Sequence, residues 1–434
     1  MHTTGLLTDH YELTMVQAAL RYGTATRPSV FEVFARRLPN GRRYGVVAGT
    51  GRILEALASF RFDDEQLEWL RAGGVVDGPT VEWLADFRFS GNISGYGEGD
   101  AYFPGSPILV VEASFAEGVL LETLLLSILN HDSAIASAAS RMTRAAEGRL
   151  CIEMGSRRTH EWAAVAAARA AYIAGFDYTS NLQAGLDYGI PTTGTAAHSF
   201  TLLHDSERDA FTAQVESFGK DTTLLIDTYD IEKAVRAALD IAGQELGAVR
   251  IDSGDLALVA KQVRRQLDEL GATSTRIIVS GDLDEFQMAS LSGAPADGYG
   301  VGTSVVTGAG NPTSGFVYKL VARATSTEPG SPLVAVAKKS SHKMGVGGRK
   351  LAVRRLSPRG TATAEVLVIG DLPRHQPNDR PLLVPLVRDG EPVGAEPLSA
   401  ARERHREAMA ELPVEAGRLS QGEPVIETEY EVGG

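Results

Sequence analysis

The chain has 434 residues, of which 43% are hydrophobic and 22% charged, and its formal net charge is −13. This balance is typical of a globular protein with two or three domains, and the acidic charge argues against nucleic acids and anionic membranes as partners, since both need basic surfaces. The single cysteine, Cys151, cannot form an internal disulfide, and no apolar run approaches membrane-spanning length. No signal peptide is visible, so we expect a cytoplasmic protein.

The first region is predicted to be mixed α+β. A helix capped by Thr8 is expected to end before Gly23. SVFEVFARRL then indicates a strand, and short helices follow over residues 49–87. NISGYGEGD and SPILVVEASF indicate two more strands, with Pro104 and Pro107 at the joint between them.

A helical stretch over about residues 118–148 precedes a regular alternation of apolar runs and helical patterns. The runs are LCIEM, IPTTGTAAH, TTLLID, AVRIDSGD, RIIVSGD and DGYGVGTS. Alternation at this spacing predicts parallel β-α units. The runs end in polar or glycine residues, namely Glu153, His198, Asp227, Asp252, Asp282 and Gly302. Because barrel active sites lie at the C-terminal ends of the strands, and no GxGxxG follows the first strand, this favours a β/α barrel over an open nucleotide-binding sheet.

We therefore expect an α/β protein made of three segments. Residues 1–117 form an N-terminal α+β domain, and residues 118–310 form the β/α barrel with the active site. The alternation stops past residue 310, so residues 311–434 are expected to pack on the N-terminal domain. They should contain short strands over 330–397 and a helix over 398–411.

VRIDSGD is the strongest local motif. Arg250 and Asp252 lie two residues apart on one side of a strand end, and Ser253 follows at the expected start of a helix. A cation, a carboxylate and free donors suit a phosphorylated sugar, and the carboxylate can accept ribose hydroxyls or help to hold Mg²⁺. The alternative is a capping turn with a surface ion pair, and this stretch alone leaves the two interpretations balanced.

Two glycine turns point to phosphate in the same way. VSGDLDE places Gly281 and Asp282 at a strand end, and GYGVGTS places Gly302 and Thr303 at the last one. Glycine lets backbone amides approach an anion closely. Either turn alone is also an ordinary turn.

Two basic segments are candidate anion sites in this acidic chain. GSRRTH places Arg157 and Arg158 beside a helix start, and KKSSHKMGVGGRK, residues 338–350, is a glycine-rich loop. Solvated charge is the alternative for both. His198 in TGTAAHSF is preceded by small residues that leave the ring accessible, although a lone histidine is more often structural. No second His or Cys stands at metal-ligand spacing, so no protein metal site is expected.

Together these stretches resemble the nicotinate phosphoribosyltransferases. The match spans most of the chain, from LLTDHYELTM through FEVFARRLPNGR, ETLLLSILNHDSAIAS, GSRR, GFDYTSN, GTAAHSF, LIDTYD, VRIDSGDL, VSGDLDE and YGVGTS to KMGVGGRK. The resemblance implies an irregular β/α barrel of the type II phosphoribosyltransferase kind, with an N-terminal domain completed by C-terminal residues. It also implies the substrates nicotinate and phosphoribosyl pyrophosphate (PRPP), Mg²⁺, ATP hydrolysis through a phosphohistidine, and a homodimer that shares its active sites.

The resemblance assigns roles by position. His198 matches the phosphorylated histidine, and Tyr11 is expected to stack on the pyridine ring, reaching a neighbouring subunit's site. Arg157 is expected at the nicotinate and pyrophosphate end, and the Thr179 hydroxyl is expected to favour the acid over the amide. The implied PRPP-binding residues are Arg250, Asp252, Ser253, Gly281, Asp282, Gly302 and Thr303, with Asp252 also orienting the ribose for catalysis.

The chain departs from the family pattern at a few positions. Met154 replaces a usual aromatic, and the other departures are Glu153, Tyr178 and Gly347. Two other functions remain open at this point. A quinolinate phosphoribosyltransferase would need a denser cationic pocket and no phosphoacceptor. A catalytically silent barrel that senses phosphorylated sugars would have no use for a nucleophile.

Overall fold

The computed structural model describes residues 3–328, 330–338, 346–370 and 377–432. The α-helices in these ranges are α1 His10–Tyr22, α2 Thr50–Ala58, α3 Asp64–Ala72, α4 Gly78–Ala85, α5 Phe115–Leu120, α6 Glu122–Ala145, α7 Glu161–Ile173, α8 Leu182–Tyr188, α9 His198–Leu203, α10 Glu207–Phe218, α11 Ile231–Ala242, α12 Leu256–Glu269, α13 Glu285–Ser290, α14 Thr303–Val306 and α15 Leu398–Glu411. The strands are β1 Pro28–Ala35, β2 Gly45–Val46, β3 Asn92–Tyr96, β4 Ala101–Tyr102, β5 Leu109–Ser114, β6 Leu150–Glu153, β7 Tyr178–Thr179, β8 Thr223–Leu225, β9 Ala248–Ile251, β10 Arg276–Gly281, β11 Gly298–Val301, β12 Phe316–Ala324, β13 Leu333–Ala335, β14 Lys350–Leu356, β15 Ala362–Ile369, β16 Asp379–Pro381, β17 Leu383–Arg388, β18 Glu391–Pro392 and β19 Glu427–Val432.

The chain divides into two compact units. One consists of Met1–Ala136 with Thr313–Gly434, and the other is Ser137–Pro312. The first division falls inside the long helix α6, whereas the sequence predicted a boundary at residue 117. That three-segment division with its boundaries stays a prediction.

C-terminal strands complete the N-terminal sheet of the first unit. Its seven-stranded sheet has the order β13-β12-β1-β5-β3-β17-β18, so β12 pairs with β1 and β17 with β3, both antiparallel. A buried ion pair adds to these links, because Lys350 Nζ on β14 lies 2.7 Å from Glu32 Oε2 on β1. The expectation that the C-terminal segment completes the N-terminal domain is confirmed.

The second unit contains a parallel half-barrel. Its six strands have the order β7-β6-β11-β10-β9-β8, and every neighbouring pair is parallel. Helices α7 and α10 to α13 follow or separate these strands along the chain, as β-α units require. Ile152, Ala248 and Ile278 form a small buried cluster on the sheet, with Met154 packed against it. The predicted α/β class and β/α architecture are confirmed.

Some local predictions were wrong. Helix α1 starts at His10 with Asp9 at its N-cap, and the Thr8 hydroxyl bonds to the Glu12 carboxylate instead of capping the helix. The run IPTTGTAAH was predicted as a strand, but its described contribution to the sheet is one bridge from Thr192 to Thr179. Its place in the parallel sheet is taken by the two-residue strand β7.

In the described ranges, every helix is either too short or too polar to cross a bilayer.

Candidate active site

The C-terminal ends of the parallel strands in the second unit carry most of the predicted site residues. Arg250 lies on β9 with Asp252 directly after it, Gly281 ends β10, and Gly302 follows β11. Because β9, β10 and β11 are adjacent and parallel, their C-terminal ends meet at the same edge of the sheet.

Arg250 is the centre of a hydrogen-bond network at this edge. Its Nε donates to Ser280 Oγ at 2.8 Å, and its Nη2 donates to Asp252 Oδ1 at 2.9 Å. Its Nη1 donates to Thr195 Oγ1 at 3.1 Å. Ser280 in turn donates to Asp252 Oδ1 at 2.6 Å. The Arg250 side chain is 14% exposed and that of Asp252 is 33% exposed, so the network is held in place while still open to a ligand.

The same network fixes the charge of Asp252. Partial burial works against ionisation, but the hydrogen bonds from Ser280 and Arg250 and the positive charge of Arg250 outweigh it and lower the pKa of Asp252. The carboxylate is therefore ionised at neutral pH, and its Oδ2 has no hydrogen-bond partner among the described residues.

Three strand ends each carry two acidic residues, and these have different tasks. The second of each pair caps the next helix by accepting backbone N–H groups. These capping residues are Asp230, Asp255 and Asp284, with Lys233, Leu258 and Phe286 among their donors. The first of each pair is Asp227, Asp252 or Asp282. Helix capping therefore accounts for Asp255 in VRIDSGD but does not account for Asp252.

Asp227 links two strand ends, a role that was not predicted from the sequence. Its side chain is 1% exposed, and its Oδ2 accepts from the Asp252 N–H at 2.9 Å and from Ser253 Oγ at 2.6 Å. Its Oδ1 is buried and has no hydrogen-bond partner in the described part of the chain. The spacing of two acids in LIDTYD matches that in IDSGD, and this repeated spacing could have identified Asp227.

His198 was predicted to end a strand, but it begins the short helix α9. Its Nδ1 lies 3.0 Å from Thr228 Oγ1, and its Nε2 lies 3.9 Å from the partnerless Oδ1 of Asp227. The side chain is 41% exposed, which fits the predicted accessibility of the ring. A Cβ built on Gly194 would meet no neighbour within 4 Å, so the segment before His198 is open on that side.

The remaining predicted anion-binding side chains of this unit are exposed. Each lies near the start of a helix or at a strand end, and neither Arg157 nor Asp282 forms an ion pair with a described residue. The exposed set is Arg157, Ser253, Asp282 and Thr303. Gly281 has a φ of 129°, a backbone conformation that favours glycine.

Thr179 is placed differently from the prediction. It is buried, and its hydroxyl donates to Glu153 Oε2 at 2.6 Å while accepting from the Asn181 N–H at 3.0 Å. A hydroxyl has one proton, so in this structure Thr179 has none to give to a ligand. Burial raises the pKa of Glu153, although hydrogen bonds from Thr179 and Gly155 oppose the rise. Thr179 and Glu153 therefore act as a pair.

Met154 lines the same half-barrel. A Cβ at Gly300 would lie 2.8 Å from Met154 Sδ, so the absence of a side chain at Gly300 lets the thioether pack against β11. The position where relatives were expected to carry an aromatic thus keeps an apolar surface.

Tyr11 and the basic segment belong to the first unit. Tyr11 is on α1 and half-exposed, and partial burial together with the charge of Glu122 raises the pKa of its hydroxyl well above the usual value. Residues 339–345 of the predicted basic loop lie outside the described residues. Lys350, at the end of this loop, is buried and forms an ion pair with Glu32, so its charge is neutralised within the protein.

The family model and the curated relatives that match this chain agree on one family. Residues 6–130 match the family described as nicotinate phosphoribosyltransferase (NAPRTase) N-terminal domain. The chain is 58% identical to nicotinate phosphoribosyltransferase pncB1 of Mycobacterium tuberculosis, over 98% of this chain and 94% of the relative. It is 38% identical to nicotinate phosphoribosyltransferase of Bacillus subtilis, over 80% of this chain and 72% of the relative. The crystal structure of human nicotinic acid phosphoribosyltransferase superposes with a TM-score of 0.83 at 26% identity, covering 98% of this chain and 97% of the human one.

Proposed function

The chain belongs to the nicotinate phosphoribosyltransferase family, and from that premise we propose that it joins nicotinate to PRPP, releasing nicotinate mononucleotide and pyrophosphate for NAD salvage. The observation that carries the proposal is the network of Arg250, Asp252 and Ser280 at the edge where the glycine turns of Gly281 and Gly302 also lie. A held cation, an ionised carboxylate and approachable backbone amides suit a sugar with several phosphates.

In this reaction the bond from ribose C1 to the pyrophosphate oxygen breaks, and pyrophosphate leaves with the electron pair. The lone pair of the pyridine nitrogen then forms the new C1–N bond. The carbon between these events has oxocarbenium character, so the protein acts chiefly by positioning and electrostatics. Asp252 orients the ribose hydroxyls, and the backbone amides near Gly281, Gly302 and Thr303 hold phosphate oxygens.

Mg²⁺ would neutralise the leaving pyrophosphate when bound. Mg²⁺ is usually held by one or two carboxylates together with substrate phosphates. The donor set fits this pattern, because the Asp252 carboxylate is ionised and its Oδ2 has no hydrogen-bond partner among the described residues. Asp282, exposed at the next strand end, is the second candidate ligand.

We assign phosphoryl transfer from ATP to His198. The neutral imidazole attacks the γ-phosphorus, the bond to the bridging oxygen breaks, and ADP leaves. Asp227 can only accept a hydrogen bond, and its Oδ1 faces Nε2 at 3.9 Å, which favours the tautomer with a proton on Nε2. The lone pair is then on Nδ1, where the Thr228 hydroxyl lies at 3.0 Å.

Nicotinate recognition is assigned to Tyr11, Arg157 and the half-barrel interior. Tyr11 is expected to stack on the pyridine ring in a neighbouring subunit of a homodimer, and the unpaired guanidinium of Arg157 suits the carboxylate. Met154 offers an apolar surface to the ring. Thr179 acts in this account through Glu153, which it holds in place, and not by direct donation. A cytoplasmic location completes the proposal.

The test is to mix the protein with nicotinate, PRPP and Mg²⁺, with and without ATP, and to measure nicotinate mononucleotide. We expect product in both cases and more with ATP. Quinolinate and nicotinamide in place of nicotinate should give little product. A protein that bound PRPP without turning over nicotinate would contradict the proposal.

A further inference from the structure

Glu12 is a buried carboxylate in the first turn of α1 that has no task in the proposed reaction. The residue is 0% exposed. Its Oε1 accepts from the Thr123 backbone N–H at 3.0 Å and from Thr123 Oγ1 at 2.6 Å. Its Oε2 accepts from the Thr8 hydroxyl. Burying a charge is costly unless hydrogen bonds compensate it, and here three donors do so. The carboxylate is therefore held in one place by its partners.

The Thr123 partner belongs to the start of another helix. Thr123 is the second residue of α6, and the first four N–H groups of an α-helix have no acceptor within that helix. Glu12 supplies an acceptor from α1, and its negative charge is favourable at the positive end of the α6 dipole. One carboxylate thus ties the first turn of α1 to the first turn of α6.

The first turn of α1 depends on this tie for its orientation. Its N-cap residue, Asp9, makes no capping hydrogen bond through its side chain within the described part of the chain. Leu13, Val16 and Ala19 bury one face of the helix. Apolar packing has no preferred direction, whereas hydrogen bonds require defined distances and angles. The bonds of Glu12 are therefore what fixes the rotation of the first turn.

Tyr11 is next to Glu12 in that turn. It is 45% exposed, so packing within the chain leaves nearly half of its surface free. The direction of a helical side chain follows the helix backbone, so a shift of the first turn moves the ring with it. The Tyr11 carbonyl oxygen accepts from Thr14 Oγ1 at 2.9 Å, but that bond lies within α1 and does not tie the turn to α6.

We propose that Glu12 is a positioning residue for Tyr11. By accepting from Thr8 and Thr123 it fixes the first turn of α1 on the start of α6, and so sets where the Tyr11 ring meets the pyridine ring of nicotinate. Stacking depends on the separation and offset of the two rings, so a small shift of the turn weakens it. This inference rests on the stacking role of Tyr11 in the proposed function.

The consequence is a selective loss of nicotinate binding. Glu12→Ala removes the acceptor of both Thr123 donors, and we expect the KM for nicotinate to rise about tenfold. The kcat and the KM for PRPP should stay within about twofold of the wild type, because the stack contributes to binding of the pyridine alone. Glu12→Gln keeps an acceptor oxygen for Thr123 and an amide that can donate to Thr8. It should restore the KM for nicotinate to within about twofold of the wild type.

Asp77→Ala is the matched control. Asp77 Oδ1 also accepts from the backbone N–H and the hydroxyl of one threonine at a helix start, Thr80, at 3.0 and 2.5 Å. Its Oδ2 accepts from Arg21 Nε at 2.7 Å, near the end of α1 opposite to Tyr11. This change removes the same kinds of hydrogen bond and should lower the Tm, but it should leave the KM for nicotinate unchanged.

A double-mutant cycle separates positioning from a general loss of structure. Tyr11→Ala should raise the KM for nicotinate by itself, and adding Glu12→Ala should then raise it by less than about twofold, because the ring through which Glu12 acts is already gone. Thr123→Val removes one donor to Glu12 while keeping the side-chain shape and the backbone N–H. It should raise the KM for nicotinate about threefold, and it tests the proposal even if Glu12→Ala does not fold.

The outcomes are distinct. The positioning role is overturned if Tyr11→Ala raises the KM for nicotinate while Glu12→Ala and Thr123→Val do not. It is also overturned if Glu12→Ala keeps its full effect in the Tyr11→Ala background, or if Asp77→Ala raises the KM equally. An unchanged KM in Tyr11→Ala, or a wild type that does not turn over nicotinate, would show that the proposed function is wrong in that respect, and the positioning role would fall with it.

Discussion

Two neighbouring strand ends of the half-barrel are built in opposite ways. At the end of β9, Arg250, Ser280 and Asp252 satisfy one another through hydrogen bonds of 2.6 to 2.9 Å. At the end of β8, Asp227 keeps a buried oxygen without a hydrogen-bond partner among the described residues. A satisfied network is rigid and suits the binding of a charged ligand, whereas a buried oxygen without a partner can accept a hydrogen bond from a neighbouring side chain or a ligand. Under the proposed function, the end of β9 is a preorganised binding edge and the end of β8, beside His198, is a reactive edge.

The largest expected effect comes from removing the nucleophile of the reactive edge. His198→Ala should abolish labelling by ATP and all ATP stimulation, while synthesis without ATP continues, because the PRPP-binding edge remains intact. His204→Ala is the control, since His204 lies at the opposite end of α9 from His198 and its Nδ1 contacts a backbone carbonyl. Full ATP stimulation in His198→Ala would show that the two edges do not have separate tasks. Nucleotide product and incorporated label are measured together.

Breaking the binding edge should have the next largest effect. Arg250→Ala leaves Asp252 and Ser280 without their cation, and losing one member of a hydrogen-bonded charge pair costs about 2–5 kcal/mol. We expect kcat/KM for PRPP to fall about 100-fold. Arg276→Ala removes an exposed arginine at the opposite end of β10 and should have little effect on kcat/KM. An unchanged kcat/KM in Arg250→Ala would remove the basis for the binding edge.

Asp227 contacts the binding edge and also lies beside His198 at the reactive edge. Asp227→Asn should therefore affect both PRPP use and labelling by ATP. The amide oxygen accepts the same two donors more weakly than the charged Oδ2 does, and the change removes the charge beside His198. We expect losses of about tenfold in label transfer and in kcat/KM for PRPP. Asp240→Asn, at an exposed ion pair of α11, is the comparison. A loss confined to one of the two activities would show that Asp227 serves a single edge.

The smallest expected effect concerns the buried hydroxyl of the binding edge. Ser280→Ala removes one hydrogen bond to Asp252 and one from Arg250, each worth about 1 kcal/mol in a typical protein. The direct Arg250–Asp252 contact remains. The KM for PRPP should rise about fivefold with ATP labelling unchanged. Ser290→Ala on α13 is the control, because its hydroxyl bonds only within its own helix.

The sequence predicted the half-barrel well because apolar runs and helical patterns alternate regularly along this part of the chain. Five of the apolar runs became strands β6 and β8 to β11, which have three to six residues each. Strand β7 has only two residues, too few for any periodicity, and was missed. IPTTGTAAH has the composition of a strand, but backbone pairing decides the outcome and only Thr192 pairs.

The site could be predicted in part for a similar reason. Residue types at strand ends pointed to Arg250 and Asp252, since parallel strands bring their ends together. The sequence could not show which acid of each pair caps a helix, because Asp252 and Asp255 are both suitable caps. The partner of the Thr179 hydroxyl was also hidden, since Glu153 lies on another strand.

The completion of the first sheet by C-terminal strands has a consequence for synthesis of the chain. Strand β1 lies between β5 and β12, and β3 between β5 and β17, so the sheet gains its last neighbours only after the ribosome has made β17. The half-barrel unit is contiguous and is finished earlier. During translation the edges of β1 and β3 are therefore open, and a nascent chain released before β12 would carry two unpaired strand edges, a state prone to aggregation.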